Sequence, residues 1–320
     1  MGRVPFLTHA VRVRVPATSA NLGPGFDSLG LALALDDELA ARVTDGGIRV
    51  TVTGYGAADL PSGEDHLVVA TMMATFDRLD ARPPGLDLTC HNRIPHARGL
   101  GSSSAAIVAG IHLARALVTD GASRLDDAEM LRLAAQIEGH PDNVAPCFLG
   151  GLTIAWTDED GARAVRLSLA PGVHPMVFVP TQRGLTAEAR AALPSTVPHR
   201  DAAFNAARAA LLVHALTTDP SVLLTATEDR LHQGYRAPGM PETADLVARL
   251  RAAGVAAVVS GAGPSVLVLL PEREGEAARI AAGLIPDGWD GWSLGVGVAG
   301  AGILFAEHAG ADPVAAGLPS

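Results

Sequence analysis

The feature that most constrains this chain is a glycine- and serine-rich run between an apolar stretch and a helical pattern. The run spans Pro95–Ala106 and reads PHARGLGSSSAA. The apolar residues Leu86, Leu88 and Ile94 precede it, and good helix formers follow it. A turn of this kind points several main-chain N–H groups at one spot before a helix N-terminus, where partial positive charge favours an anion. The run therefore predicts a phosphate-binding loop, and the plain alternative is a serine-capped helix after a glycine turn.

The composition excludes several common phosphate and carbonyl sites, because the chain has no lysine. All 24 of its basic residues are arginine. Walker A loops, protein kinases, PLP enzymes and Schiff-base aldolases each require a lysine at the site. The dinucleotide fingerprint G-x-G-x-x-G also fails, because serines follow Gly101. A phosphate bound by this run must therefore be held by local groups other than lysine.

Length, charge and cysteine content narrow the class of protein further. The 320 residues suffice for one large or two medium domains, and the net charge of −10 argues against nucleic-acid binding through a basic surface. Cys90 and Cys147 are far apart and lack metal-ligand spacing, which favours a reducing, cytoplasmic location. No signal-peptide pattern and no apolar stretch of about 20 residues is present, so we expect no membrane attachment.

Strand and helix patterns alternate irregularly along the chain, which favours α+β layers over a doubly wound parallel sheet. We expect Pro16 to end the first strand and the polar turn 158–161 to mark a domain boundary. The tail 309–320 is expected to be frayed. The periodicity predicts strands at 11–15, 29–35, 48–52, 86–93, 150–156, 176–179, 255–259, 265–270 and 296–305, and helices at 65–79, 102–117, 126–138, 186–192, 201–216, 241–253 and 274–284.

Four further segments carry polar groups suited to chemistry. Each has a plain structural alternative, such as an Asx turn, a polar helix end, a solvated surface arginine or a tight turn. The dense cluster at 138–143, with two carboxylates, an imidazole and an amide, favours a site over a helix end. The segments are the loop 16–27 with Asn21 and Asp27, the cluster 138–143, the pair Arg190 and Arg236, and the turn 260–265.

The loops 16–27, 95–106 and 260–265 occur in the order of the three motifs of the GHMP small-molecule kinases, which the chain resembles from Val11 to Phe305. The segments TSANLGPGFD (18–27) and HPDNVAP (140–146) are most similar to the homoserine kinase family. The resemblance implies a two-domain α+β fold. Residues 1–157 would form an S5-like domain with a left-handed β-α-β element, and residues 158–308 a ferredoxin-like domain.

The same resemblance implies an activity. ATP would lie over the loop 95–106, and the side-chain hydroxyl of L-homoserine would be phosphorylated to O-phospho-L-homoserine, a step of threonine biosynthesis. The partners would be ATP and this small substrate, without nucleic acid or membrane, and a homodimer stays open. Another small alcohol, such as mevalonate or a sugar, is the alternative substrate, although paired arginines favour an amino acid. A nucleotide-binding regulator without transfer and a purely structural domain are alternatives from other classes.

The resemblance and the residue chemistry together assign roles. Arg98 either reaches a phosphate or points to solvent, and a third serine after Gly101 leaves open which hydroxyl meets Mg²⁺. An Asp takes the hydroxyl proton in other kinases of the superfamily, whereas the resemblance leaves open whether this family uses a general base, and Asp142 is the nominee if one exists. The residues expected to bind ATP are Pro95, Arg98, Gly99, Leu100, Gly101, Ser102, Ser103, Ser104, Gly261 and Gly263. Those expected to bind Mg²⁺ are Ser102, Ser103 and Glu138. The substrate residues are Asn21, Asp27, His140, Asp142, Asn143, Thr186, Arg190 and Arg236, with Asp142, Asn143 and Asn21 in catalytic roles.

Overall fold

Alternating apolar residues build two separate β-sheets in the computed structural model, which describes residues 6–304. The strands of the first sheet are β1 (Val11–Ala20), β2 (Leu29–Thr44), β3 (Gly47–Gly54), β4 (Gly85–Asn92), β5 (Leu152–Asp158), β6 (Gly161–Leu167) and β11 (Gly302–Leu304). The strands of the second are β7 (His174–Pro180), β8 (Ala257–Val259), β9 (Val266–Leu270) and β10 (Trp289–Ser293). The first sheet has the order β11-β1-β2-β4-β3, with β5 on β2 and β6 on β5, and the second has the order β10-β7-β9-β8.

Helices cover both sheets, and this confirms the predicted α+β class. In the first part of the chain, which carries β1 to β6, α2 (Ser102–Leu117) and α5 (Pro141–Leu149) pack on β1, and α1 (Leu67–Arg78) joins the parallel strands β3 and β4. In the second part, which carries β7 to β10, α10 (Pro241–Ala252) and α11 (Glu276–Gly283) pack on an antiparallel sheet. The helices are α1 (Leu67–Arg78), α2 (Ser102–Leu117), α3 (Gly121–Arg124), α4 (Asp127–Glu138), α5 (Pro141–Leu149), α6 (Thr186–Ala191), α7 (His199–Thr217), α8 (Leu223–Ala226), α9 (Gln233–Arg236), α10 (Pro241–Ala252) and α11 (Glu276–Gly283).

Prolines misled the sequence prediction in two places. Pro16 does not end the first strand: β1 continues to Ala20, with a register shift between Pro16 and Ala17 opposite β2. A proline without an N–H is tolerated at such an irregularity. The helix α5 was missed because Pro141 begins it and Pro146 lies within it. The strand expected at 296–305 is a strand only at β11, and Phe305 and the tail 309–320 lie outside the described residues.

The polar turn at 158–161 closes a hairpin between β5 and β6, where Asp158 pairs with Gly161. The predicted division between residues 157 and 158 therefore falls inside the first sheet. The chain changes sheets after Leu167, and β11 returns to pair with β1. A turn rich in Asp and Gly is compatible with a hairpin as well as a linker, so composition alone did not separate them.

A buried carboxylate on β2 fixes the main chain where β4 leaves the sheet for the glycine-rich run. Asp37 Oδ1 accepts hydrogen bonds from the main-chain N–H groups of Arg93 (2.6 Å) and Ile94 (2.8 Å). Burial raises the pKa of Asp37 from 3.8 to about 7, although these two hydrogen bonds act in the opposite direction. Asp37 therefore supports the start of the loop, and its ionisation is linked to folding.

We expect Asp37→Asn to reduce the pH dependence of stability between about pH 4 and pH 7. The folded state binds the Asp37 proton more tightly than the unfolded state, so stability is lost as pH rises from 3.8 to about 7. The amide oxygen keeps both acceptor contacts but does not titrate. Denaturant unfolding at a series of pH values measures the effect, with the exposed Asp45→Asn as the control. An unchanged pH profile in Asp37→Asn contradicts this assignment.

Candidate active site

A cleft of about 220 Å³ lies where the loop after β1, the loop after β4 and segments of the second part meet. It brings together most of the predicted site residues from distant parts of the chain. Ala97 and Ala262, which lie in the predicted loops 95–106 and 260–265, also line it, as do Gly184 and Leu185, which the sequence did not indicate. The predicted residues that line it are Asn21, Asp27, Arg98, Gly99, Gly101, Ser102, Ser103, Glu138, His140, Asp142, Asn143, Thr186, Arg190, Arg236 and Gly261.

The glycine-rich loop has the backbone that an anion site requires. Ala97, Gly99 and Gly101 have φ values of 54°, 73° and 70°, in the left-handed region. Gly101 caps α2 without any side-chain hydrogen bond to the helix end. The first N–H groups of a helix have no partner within the helix, so those of Ser102 and Ser103, which line the cleft, are available to a ligand.

Close main-chain packing explains why the loop needs its glycines. A Cβ on Gly101 would collide with Thr18 Oγ1, and a Cβ on Gly99 would collide with the carbonyl oxygen of Ser260. Ser260 Oγ also donates to the carbonyl of Gly99 at 2.6 Å. The turn 260–265 therefore supports the loop from behind.

Four of the residues predicted to bind ATP do not line the cleft. Leu100 and Ser104 are buried, and the main-chain carbonyl of Leu100 accepts from Thr18 N at 3.1 Å. Gly263 lies behind Gly99, and Pro95 is buried at the start of the loop. They are neighbours of lining residues in the sequence, but the side chains of Leu100 and Ser104 are buried in the protein interior. Their position assigns them to the support of the loop.

A carboxylate at the end of α4 meets the serines of the loop. Glu138 Oε1 accepts hydrogen bonds from Ser103 Oγ and Ser104 Oγ, each at 2.8 Å. Ser102 lines the cleft but makes no such bond to Glu138. Residues 6–304 contain no cluster of three or more His, Cys, Asp or Glu that could hold a metal ion. Mg²⁺ often takes one or two carboxylates and completes its shell with water and phosphate oxygens, so Glu138 with Ser103 fits it.

Across the cleft, Arg190 of α6 forms a bidentate ion pair with Asp27. The two N–O distances are 2.7 and 3.1 Å, and each side chain is more than one third exposed. The hydrogen bond to Asp27 raises the pKa of Arg190. Phe26 lies beside this pair, with its ring centre 5.9 Å from the Arg190 guanidinium and 5.4 Å from that of Arg236.

Arg236 is a buried cation without a carboxylate partner. The residue is 3% exposed, and within residues 6–304 no Asp or Glu oxygen lies within 4.0 Å of its guanidinium. It donates to the carbonyls of Ala189 (3.1 Å) and Gly261 (3.2 Å). Burial and then the neighbouring Arg190 lower its pKa. Asp27, Asp229 and Asp142 stabilise the charge only from a distance. A buried charge without a carboxylate in contact is costly, so this arrangement favours an anionic ligand that completes it.

The cluster after α4 places an imidazole, a carboxylate and an amide on one wall. His140 Nδ1 and Asp142 Oδ1 are 2.5 Å apart. Burial lowers the pKa of His140, but the hydrogen bond and charge of Asp142 outweigh it and the pKa is raised. Asn143 Oδ1 accepts from Thr18 Oγ1 at 2.9 Å. These contacts fix the orientation of all three side chains at the start of α5.

Asn21 and Thr186 occupy different environments at the rim. Asn21 Nδ2 donates to the carbonyl of Gly261 (2.9 Å), and its Oδ1 accepts from the N–H of Asp27 (3.0 Å). Both ends of the amide are thus engaged by main-chain groups, which joins the two parts of the chain. Thr186 is exposed at the first residue of α6.

Sequence reasoning missed two supporting residues. Thr18 lies in the segment that the prediction treated as loop, and it holds Asn143 and contacts Gly101. His232 is fully buried, donates from Nε2 to the carbonyl of Gly23 (2.8 Å) and accepts from Arg236 at Nδ1 (3.2 Å). Burial lowers its pKa. The adjacent hydroxyl residues Thr18 and Ser19 could have indicated a polar contact at Thr18. The sequence around His232 contains no comparable signal.

Comparisons with known proteins identify the family of this chain. The model of the GHMP kinases N terminal domain matches residues 66–151, and that of the GHMP kinases C terminal matches residues 212–289. The chain is 54% identical to the homoserine kinase of Streptomyces avermitilis over 299 residues, which covers 93% of this chain and 97% of the relative.

Two solved structures extend the comparison to the fold. A homoserine kinase from Cytophaga hutchinsonii has a TM-score of 0.80 at 26% identity and covers 92% of this chain and 97% of its own. A putative homoserine kinase from Listeria monocytogenes has a TM-score of 0.75 at 32% identity, with 92% and 99% covered. Across residues 6–304 the longest apolar helices fall short of a membrane span.

Proposed function

The chain belongs to the homoserine kinase family of the GHMP kinases, and we propose that its cleft transfers a phosphoryl group from ATP to the side-chain hydroxyl of L-homoserine. The product is O-phospho-L-homoserine, an intermediate of threonine biosynthesis. The observation that carries the assignment is the buried, unpaired Arg236 facing the same cleft as the open N-terminus of α2. One end of the cleft suits a triphosphate, and the other suits the carboxylate of an amino acid.

The glycine-rich loop is the proposed nucleotide site. The main-chain N–H groups of Gly99, Ser102 and Ser103 would hold phosphate oxygens without any lysine. Ser103 and Glu138 would hold Mg²⁺, which neutralises charge on the transferring phosphoryl group. The serine hydroxyls already converge on Glu138 at 2.8 Å, which supports a shared metal position.

The two arginines are the proposed acceptor clamp. Arg236 is unpaired, and the fork of Arg190 matches a carboxylate, as its present contact with Asp27 illustrates. The substrate carboxylate would take the place of Asp27 on Arg190, and the substrate ammonium would bind the released Asp27. This exchange conserves the charge balance of the cleft. Asn21, Asn143 and Thr186 would border the bound substrate.

Asp142 is the proposed acceptor of the hydroxyl proton, and His140 orients it. The carboxylate is 1% exposed and lies 2.5 Å from His140 Nδ1. As the substrate oxygen bonds to the γ-phosphorus, its proton passes to Asp142 and the bond from phosphorus to the β–γ bridging oxygen breaks. ADP leaves with that oxygen. In-line phosphoryl transfer depends mainly on such positioning.

The sequence also left open two functions other than phosphoryl transfer, namely a regulator and a purely structural domain. A regulator without transfer predicts damage to Glu138 or to the arginine clamp, whereas both retain suitable geometry. A purely structural domain gives no reason for an unpaired Arg236. The cytoplasmic location and the homodimer remain predictions from the sequence.

A substrate without the carboxylate isolates the contribution of the arginine clamp to substrate binding from that of the other contacts. Wild-type protein should strongly prefer L-homoserine over 3-amino-1-propanol, which lacks the carboxylate. Arg236→Ala should lose most of that preference, because one charge-assisted pair in a partly buried site is worth on the order of 2–3 kcal/mol. Ratios of kcat/KM for the two substrates measure the effect.

Two further variants complete this test. Arg190→Lys keeps the charge but loses the planar fork, so it should raise the KM for homoserine with little change in ATP affinity. Arg249→Ala removes an exposed arginine of α10 and should leave the preference unchanged. Equal preference ratios in wild type and Arg236→Ala would show that the clamp is assigned incorrectly.

A further inference from the structure

The guanidinium of Arg98, at the edge of the cleft, is bonded to three main-chain carbonyls. Its Nε donates to Pro180 O (2.8 Å), Nη1 to His96 O (3.0 Å) and Nη2 to Thr181 O (2.7 Å). All three nitrogens therefore have an acceptor in the protein. These contacts contradict the alternative of a side chain free in solvent, whereas the role of Arg98 as a phosphate ligand stays a prediction because the residue also lines the cleft. Arg98 links the glycine-rich loop to the end of β7.

A second hydrogen bond joins the same two segments. The N–H of Gly184 donates to the carbonyl of Ala97 at 2.8 Å. Gly184 lies just before α6, the helix that carries Arg190. The end of β7 and the approach to α6 are thus attached to the loop at two points.

Packing does not hold α6 in place. None of its residues is buried, and Leu185 before it is 58% exposed. Its position depends on polar contacts: those with the loop at its start, Arg236 Nε to Ala189 O (3.1 Å), and the Arg190–Asp27 pair. When no side chain of a helix is buried, the position of that helix depends on the groups to which it is hydrogen-bonded.

We propose that Arg98 is a positioning residue that couples the nucleotide loop to the acceptor clamp, so that ATP and L-homoserine strengthen each other's binding. This inference rests on the proposed function. Ala97 has φ of 54°, which a non-glycine residue holds only when its surroundings fix it. Phosphates bound to the N–H groups of the loop order the loop. The contacts of Arg98 and Ala97 then order α6, and the guanidinium of Arg190 is held in the position that binds the substrate carboxylate. Linkage makes the effect reciprocal.

Calorimetry tests the coupling directly. The dissociation constants of a non-hydrolysable ATP analogue with Mg²⁺ and of L-homoserine are measured alone and each in the presence of the other. Wild type should show mutual tightening of about fivefold or more. Arg98→Met and Arg98→Lys should bring this factor close to one, because neither side chain can reach the three carbonyls in the geometry of a fork. The analogue alone should bind both variants within about twofold of wild type, a change of about 0.4 kcal/mol.

Arg183→Met is the matched control. Arg183 lies in the same segment and pairs with Asp59 in the first part at 2.6 Å, but both side chains are 55% exposed. Exposed ion pairs contribute little, so the coupling should survive. Hydrogen exchange gives a second readout: the analogue should slow exchange in α6 of wild type and Arg183→Met but not of Arg98→Lys. Melting temperatures show whether each variant is folded.

Three results would overturn the inference. In the first, Arg98→Lys keeps the coupling and Arg98→Met loses affinity for the ATP analogue. That pattern would show that Arg98 acts as a positive charge that binds phosphate. The second is wild type without coupling, and the third is lost coupling in Arg183→Met equal to that in Arg98→Lys. Turnover of L-homoserine by wild type, measured separately, decides the proposed function independently of these results.

Discussion

Gly101→Val should lose ATP binding while the protein remains folded. Gly101 has φ of 70°, which a β-branched side chain strongly disfavours, and any Cβ there collides with Thr18 Oγ1. The loop must shift to relieve this contact, and the first N–H groups of α2 then no longer converge on one point. We expect ATP affinity to fall by at least about a hundredfold, on the order of 3 kcal/mol.

Calorimetry with the ATP analogue measures this loss, and circular dichroism monitors folding. Gly46→Val is the control, because a Cβ there meets nothing within 4 Å. Gly101→Ala should give a smaller loss, since it adds the collision without β-branching. Normal ATP affinity in a folded Gly101→Val protein would remove the glycine-rich loop from the nucleotide site.

Glu138→Gln should lower kcat by about a hundredfold or more. The amide keeps an acceptor for Ser103 and Ser104 but removes the negative charge proposed to hold Mg²⁺. Metal position and stabilisation of transition-state charge should be lost together. L-Homoserine binding, measured without nucleotide, should change little because the clamp residues are untouched.

The dependence of kcat on Mg²⁺ concentration distinguishes a weakened metal site from an unrelated defect. Raising Mg²⁺ should restore part of the Glu138→Gln rate if affinity is the main loss. Glu64→Gln removes an exposed carboxylate and serves as the control. Near-wild-type turnover of Glu138→Gln at every Mg²⁺ concentration would leave Glu138 only a structural role in holding the two serines.

Contiguous motifs were the part of the site that could be predicted from the sequence. The loop 95–106 and the cluster 138–143 each hold several functional groups within a few residues, so local reasoning found them. Their exact contacts depended on the fold. The metal candidates were Ser102, Ser103 and Glu138, whereas Glu138 bonds to Ser103 and Ser104, because only the turn of α2 decides which hydroxyls face α4.

Long-range contacts could not be predicted in the same way. The pairing of Asp27 with Arg190 and the support of Arg236 by His232 join residues far apart in the chain. The role of Arg98 also depends on the position of β7, which no local pattern reveals. In the fold, Pro16 and the polar turn after β5 were misread because a bulge and a hairpin share their residue types with strand ends and linkers.

A panel of small alcohols distinguishes phosphorylation of an amino acid in this cleft from phosphorylation of mevalonate or a sugar. ADP release is measured with L-homoserine, mevalonate and galactose at matched concentrations, and the phosphorylated product is identified by phosphorus NMR. We predict that kcat/KM for L-homoserine exceeds that of the other alcohols by at least about a hundredfold, because only homoserine completes the arginine clamp. An equal or higher kcat/KM with mevalonate or galactose would contradict the account.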